Sequence, residues 1–163
     1  MGTAPRRCPD PAVRKQLPPQ GQVIDTGPRL LYGKVPLAGE EVRAPVPPEL
    51  LGIVARQDPA SVFPVAVRTS VPIGAWETTA VTLLGDAVHV MSPAIGVGAN
   101  TALRDARVLA ARLVQAAQGR PLAEALRGLD EKEMTGYGFD AVRESAERGH
   151  RLAGQDPLPS AQE

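Results

Sequence analysis

Residues Val81–Ala111 read VTLLGDAVHVMSPAIGVGANTALRDARVLAA. An apolar run, Ala80 to Leu84, ends in Gly85-Asp86. Such a run bounded by a turn signal predicts a buried strand. Pro93 and the glycine-rich Gly96-Val97-Gly98-Ala99-Asn100 follow. Leu103, Ala106, Ala110, Leu113, Val114 and Ala117 then recur at three- and four-residue spacing. That period predicts an amphipathic helix from about Ala99 to Gln118, on the order of 30 Å long. Gly119 suits its C-terminal cap and Pro121 the start of a further helix. Glycines between a strand and a helix let backbone N–H groups approach a ligand with no side chain in the way. The helix start adds about half a positive charge. Asp86 at the strand end could accept hydroxyl groups from a sugar-like ligand through charge-assisted bonds. Taken singly, Gly-Asp reads first as a turn or cap and the loop as a plain connection, with a ligand site the minority reading.

Outward from this stretch the chain changes character. Ten of its 17 prolines lie between Pro5 and Pro48, which excludes continuous helix there. Ala12 to Leu17 reads as a short helical turn, and Gln22 to Ile24 and Arg29 to Val35 as short strands. Pro36 to Asp58 reads as an irregular, proline-rich loop. Val62 to Val71 alternates as an edge strand with Pro64 near its start. After Pro121, Leu122, Ala125, Leu126 and Leu129 form one stripe that resumes at Tyr137, Ala141 and Val142. Gly136 and Gly138 predict a bend or break, since each costs roughly 1 kcal/mol inside a helix. The segmentation is 1–21 irregular, 22–79 partial strands and loop, 80–153 the glycine-loop and helix unit, and 154–163 a disordered tail. The fold class is α/β.

Composition excludes several functions. Eighteen basic and 18 acidic side chains leave a net charge of +0, giving neither a nucleic-acid nor an anionic-membrane footprint. No run reaches the ~18 apolar residues of a membrane span. The lone Cys8 fits a reducing cytoplasm. No His, Cys, Asp or Glu cluster has metal-ligand spacing. Serines lack a nucleophile-elbow context, so hydrolase chemistry has no support. His89 reads as a packed structural histidine, and His150 as solvated. Arg104, Arg107 and Arg112 read as a solvated helix face. Tyr32, Phe63 and Trp76 read as core or loop-anchoring aromatics.

In their order, Gly85-Asp86-Ala87-Val88-His89, Pro93, Gly96-Val97-Gly98-Ala99-Asn100-Thr101-Ala102-Leu103-Arg104-Asp105-Ala106 and Leu109 resemble the second FAD motif of the flavoprotein monooxygenases related to para-hydroxybenzoate hydroxylase. Ser61 to Trp76 resembles the segment leading into that motif. Pro11 to Leu17 and Asp25 to Leu37 resemble the start of the family's substrate domain. The resemblance implies an oxidoreductase that uses FAD, with NAD(P)H as co-substrate and O2, to hydroxylate a small organic, aromatic-type substrate. It implies FAD contacts at Gly85, Asp86, Pro93, Gly96, Val97, Gly98, Ala99 and Asn100. Asp86 would meet the ribityl or pyrophosphate-proximal hydroxyls, Pro93 would lie beside the isoalloxazine, and the Gly96–Asn100 amides would face its N1–C2 carbonyl edge. It names no catalytic side chain.

Departures from the family are equally legible. No GxGxxG, the pyrophosphate-cradling signature of the family's first unit, occurs in the 163 residues. Between Leu51 and Gln57 most of a substrate-binding sheet is skipped. Ser92-Pro93 stands where many relatives have two prolines. The chain therefore reads as truncated or internally deleted. A separate chain supplying the GxGxxG segment is one expected partner. A catalytically inactive remnant or small binding module is the alternative.

Overall fold

The computed structural model describes residues 21–34, 52, 56, 58–74, 82–126 and 133–159. The helical turn at Ala12–Leu17, Cys8, Trp76, Leu129 and nearly all of the Pro36–Asp58 loop lie outside them. The described elements are β1 (Val23–Tyr32), β2 (Phe63–Ser70), α1 (Asp86–His89), α2 (Gly98–Ala117), α3 (Leu122–Leu126) and α4 (Thr135–Ala153), with single 3-10 turns at Pro59–Ser61 and Pro93–Ile95. Helix and strand are mixed, as the α/β reading expects.

β1 and β2 pair in a two-stranded sheet. Gln22 just before β1 accepts a bond from Val71 just after β2, at 2.9 Å, so the strands run antiparallel. The two strands expected at Gln22–Ile24 and Arg29–Val35 are one. The Asp25 side chain accepts the Gly27 N–H at 3.0 Å, and Gly27 takes a positive φ of 90°. Only glycine adopts that conformation without strain, which lets the chain pass Pro28 without leaving the ladder.

The structure divides into two compact units. The smaller, Pro28–Val67, holds the distal halves of both strands. The Asp58 side chain caps the Pro59–Ser61 turn through the Ala60 N–H, and Ser61 Oγ accepts the Lys34 N–H at 2.8 Å. Tyr32 and Phe63 stack with ring centroids 6.0 Å apart, anchoring this hairpin as the sequence suggests.

The larger unit contains α1, α2, α3 and α4. Its core joins Leu83, Val88, Val108, Leu126, Met134, Phe139 and Val142. α4 supplies the most to it, because Thr135, Gly138, Phe139, Val142, Ser145, Ala146 and Gly149 fall on one face at helical spacing. Of the bend or break expected at Gly136 and Gly138, the break is absent: α4 runs unbroken through both. Gly138 is there for close packing: a Cβ on it would lie 2.7 Å from His89 Cδ2.

Two further expectations are corrected. Thr82, Leu83 and Leu84 form no strand. A strand needs a neighbour for its N–H and C=O groups, and among the described residues the sheet consists of β1 and β2 alone. The tail is anchored as far as Pro159. Gln155 is 1% exposed, the Asp156 N–H donates to Thr26 O at 2.9 Å, and His150 Nδ1 meets Gln155 O at 2.7 Å. His150 is thus exposed but also fastens the end of α4.

The stripe of α2 also faces the opposite way from expectation. Thr101, Asp105 and Val108 are buried, whereas Leu103 is 67% and Val114 55% exposed. At about 100° per residue, the apolar stripe lies nearly opposite the buried one. The core forms on the side where Asp105 and Val108 find partners. The stripe from Leu103 to Ala117 faces outward for roughly 20 Å of helix. No helix among the described residues is long and apolar enough to cross a membrane.

Candidate functional site

The sequence-nominated residues fall into two neighbouring pieces of the larger unit. Gly85 is buried, with φ 54° and ψ −132°, a conformation reserved for glycine. A Cβ there would lie 3.0 Å from Ala102 Cβ, so the turn leading into α1 presses on the first turns of α2. Gly85 O accepts the Val88 and His89 N–H groups, each at 2.9 Å, closing α1. Asp86 is the first residue of that turn and is exposed. The strand end expected to carry it is therefore a tight, glycine-hinged helical turn.

After α1 the chain is held on both sides. Ser70 N–H donates to Val90 O at 2.8 Å from the end of β2, and Ser145 Oγ donates to Ser92 O at 2.5 Å from α4. Pro93 opens the 3-10 turn and is exposed. Gly96 closes it in the left-handed region, φ 68°, with nothing within 4 Å of where a Cβ would be. Val97 precedes α2 without a side-chain cap, and no acidic residue occupies the first turn. The amides of Gly98, Ala99 and Asn100 thus lack intrahelical partners. Ala99 and Asn100 are exposed, and Met91 packs beside Gly98 in ordinary contact.

The residue that sequence reasoning missed is Asp105. It is fully buried. Its Oδ2 accepts the Gly85 N–H at 2.8 Å and meets His89 Nε2 at 2.7 Å, while Oδ1 accepts the Tyr137 hydroxyl at 2.5 Å. Because a carboxylate only accepts, the His89 proton in this contact sits on Nε2. His89 is 1% exposed, and its Nδ1 has no partner among the described residues. This is the packed, hydrogen-bonded histidine that the sequence suggests. Arg104 is not merely solvated: its guanidinium carbon stands 3.8 Å from the centroid of the Tyr137 ring. The one sequence signal for Asp105 was its register with Thr101 and Val108, opposite the apolar stripe.

Burial alone would raise the Asp105 pKa, but the bonds from His89, Tyr137 and the Gly85 amide outweigh it and hold the carboxyl below its ordinary 3.8. Burial and the bond to that carboxylate push Tyr137 well above its ordinary 10.0. A depressed acid contributes stability that is complete above its unfolded value and lost as pH falls through its folded one. A raised phenol contributes below its unfolded value and loses that contribution as pH rises through its folded one. Urea unfolding against pH should therefore show the contributions of Asp105 and Tyr137 intact between 3.8 and 10.0, declining only outside that window. Asp105→Asn should flatten the acid side, and an unchanged acid limb would contradict the assignment.

Comparison with known proteins agrees with the motif. The model of the family described as "FAD binding domain" matches residues 48–132. A dual O-methyltransferase/FAD-dependent monooxygenase, CTB3, of Cercospora beticola is 44% identical over 70 residues, covering 42% of this chain and 8% of its own. The 3-amino-4-hydroxybenzoate 2-monooxygenase PtnB3 of Streptomyces platensis is 44% identical over 80 residues, covering 49% and 19%. The FAD-dependent monooxygenase ausM of Penicillium brasilianum is 60% identical over 38 residues, covering 23% and 8%. The chain thus spans less than a fifth of the length of these relatives. No solved structure matches.

Proposed function

This chain belongs to the FAD binding domain family, and from that premise we propose that it holds the redox-active end of FAD as part of an NAD(P)H- and O2-dependent monooxygenase. The observation that carries the reading is the open, uncapped mouth of α2 beside the Gly85–Asp86 turn. Amides without intrahelical partners at a helix start, small side chains and a positive-φ glycine with open space where a Cβ would be fit a flat, electron-rich carbonyl edge. The Gly96, Val97, Gly98, Ala99 and Asn100 backbone would face that edge, Pro93 would lie beside the ring, and Asp86 would accept hydroxyl groups of the cofactor's sugar-like arm. FAD, when bound, supplies the two-electron redox and oxygen-activating chemistry. This chain's share is orientation and electrostatics: the helix start favours negative charge at the ring edge by about 0.3–1 kcal/mol, up to ~2 where partly buried.

The substrate is a small organic molecule, aromatic in type as with the relative whose name specifies an aminohydroxybenzoate. The lone Cys8 suits the cytoplasm we assign it. The pyrophosphate half of FAD calls for a strand–GxGxxG–helix unit that these 163 residues lack. We propose that a segment outside these 163 residues supplies it. The outward stripe of α2, Leu103, Leu113 and Val114, together with Leu122 of α3, offers that unit an apolar face.

Titration of the purified chain with FAD, read by flavin absorbance and fluorescence, tests the reading. Saturable uptake with a shifted visible spectrum is expected, at modest affinity because half the cofactor's anchors are missing. A colourless chain that takes up no FAD and supports no NAD(P)H oxidation, with or without a GxGxxG-bearing unit fused or added to it, would contradict it.

A further inference from the structure

We propose that Asp105 is the positioning residue of this site: from within α2 it fixes Gly85 and His89, and so sets Asp86 relative to the amides at the mouth of the same helix. The inference rests on the flavin reading above. Gly85 and His89 bracket Asp86, lying before and at the end of the four-residue α1. One buried carboxylate oxygen bonds to both, at 2.8 and 2.7 Å. The turn carrying Asp86 is therefore pinned at its two ends by a single atom of α2.

That atom belongs to a residue seven positions after Gly98, about 10 Å along the axis from the helix mouth. Both halves of the candidate site thus ride on one rigid rod. The turn has no slack: Gly85 sits in a glycine-only conformation against Ala102, and the imidazole is pressed from behind by Gly138. Tyr137 holds the other carboxylate oxygen at 2.5 Å, which keeps the Asp105 side chain from turning away. Burying a carboxylate is costly unless its lone pairs are met. Here its bonding falls on the Asp86 turn and the α4 residue that steadies it.

The test uses the full, 15N-labelled chain with FAD as the probe. Asp105→Asn keeps an acceptor oxygen for Gly85 and His89. Asp105→Leu combined with His89→Leu and Tyr137→Phe removes the two side-chain donors along with their acceptor and leaves only the Gly85 N–H unmet, so that helix content is retained when the tether is gone. In that triple variant the Gly85 amide is expected to exchange faster and the Kd for FAD to rise by about tenfold or more, with the flavin's induced visible circular dichroism lost. Asp105→Asn is expected to restore most of the affinity and the dichroism band. Linkage is reciprocal, so saturating FAD should slow Gly85 exchange in the wild-type chain by about tenfold or more. This second measurement needs no variant to fold. A triple variant that releases Gly85 yet binds FAD unchanged, or a wild-type chain that binds FAD with no change at Gly85, would overturn the positioning role. A wild-type chain with a protected Gly85 and no FAD uptake would instead overturn the flavin reading, and the role of Asp105 with it.

Discussion

Asp105→Ala should lower the stability of the chain by about 3–5 kcal/mol, the usual penalty for removing one member of a fully buried ionic network. The side chain is 0% exposed, so solvent does not soften the loss. Alanine would leave the Gly85 N–H, the His89 Nε2–H and the Tyr137 hydroxyl without their acceptor. Buried donors left unsatisfied cost about 1–3 kcal/mol each before any relaxation. Total stability of a domain is only about 5–15 kcal/mol, so this one change would bring the chain close to unfolding at ambient temperature. Urea unfolding followed by far-ultraviolet circular dichroism measures it, as a lower midpoint at similar slope. Midpoints that coincide with the wild type would mean that the carboxylate network does not hold the larger unit together.

Two glycines of α4, two residues apart, should respond in opposite directions to alanine. Glycine inside a helix ordinarily gains up to about 1 kcal/mol when replaced by alanine. Gly136 has open space at its Cβ position, so Gly136→Ala should raise the melting temperature slightly. At Gly138 the new methyl would meet His89 Cδ2 at 2.7 Å and Cγ at 3.1 Å. That ring is buried and bonded to Asp105, so it has nowhere to move. Overpacking of this kind costs about 1–3 kcal/mol, which outweighs the propensity gain. Thermal melts of the two single variants should therefore fall on opposite sides of the wild type. Gly138→Ala melting at or above the wild type would show that α4 and α1 are not tightly packed there.

The parts legible in the sequence were those governed by local rules. The glycine-rich connection from Gly96 to Gly98 and the helix after it follow from backbone freedom and helical period, and α2 ends within a residue of its expected end. β2 emerged from simple alternation of apolar side chains. What misled were features whose meaning depends on a partner distant in sequence. Leu103, Leu113 and Val114 look like a core stripe, yet the core forms opposite them, because Asp105 finds Gly85, His89 and Tyr137 there. Thr82 to Leu84 has the composition of a strand, yet among the described residues the sheet consists of β1 and β2 alone. Gly138 looks like a helix breaker until His89, 49 residues earlier, is seen against it. The polar tail looks disordered, but Gln155 packs where a Cβ on Gly149 would fall 2.9 Å from its Cδ.

For the site, the motif nominated Gly85, Asp86, Pro93 and Gly96–Asn100, and the structure sets Gly85 against α2 behind an uncapped helix mouth. The carboxylate that ties these pieces together was hidden, because a charged side chain on a helix reads as solvated unless its partners are known.

Backbone amide shifts recorded on the 15N-labelled chain during FAD addition probe the flavin assignment most directly. Residues Gly96, Gly98, Ala99 and Asn100, together with Asp86, should move most, and movement should fade along α2 beyond Leu103. Shifts confined to other surfaces, or none at the helix mouth while FAD binds, would contradict it.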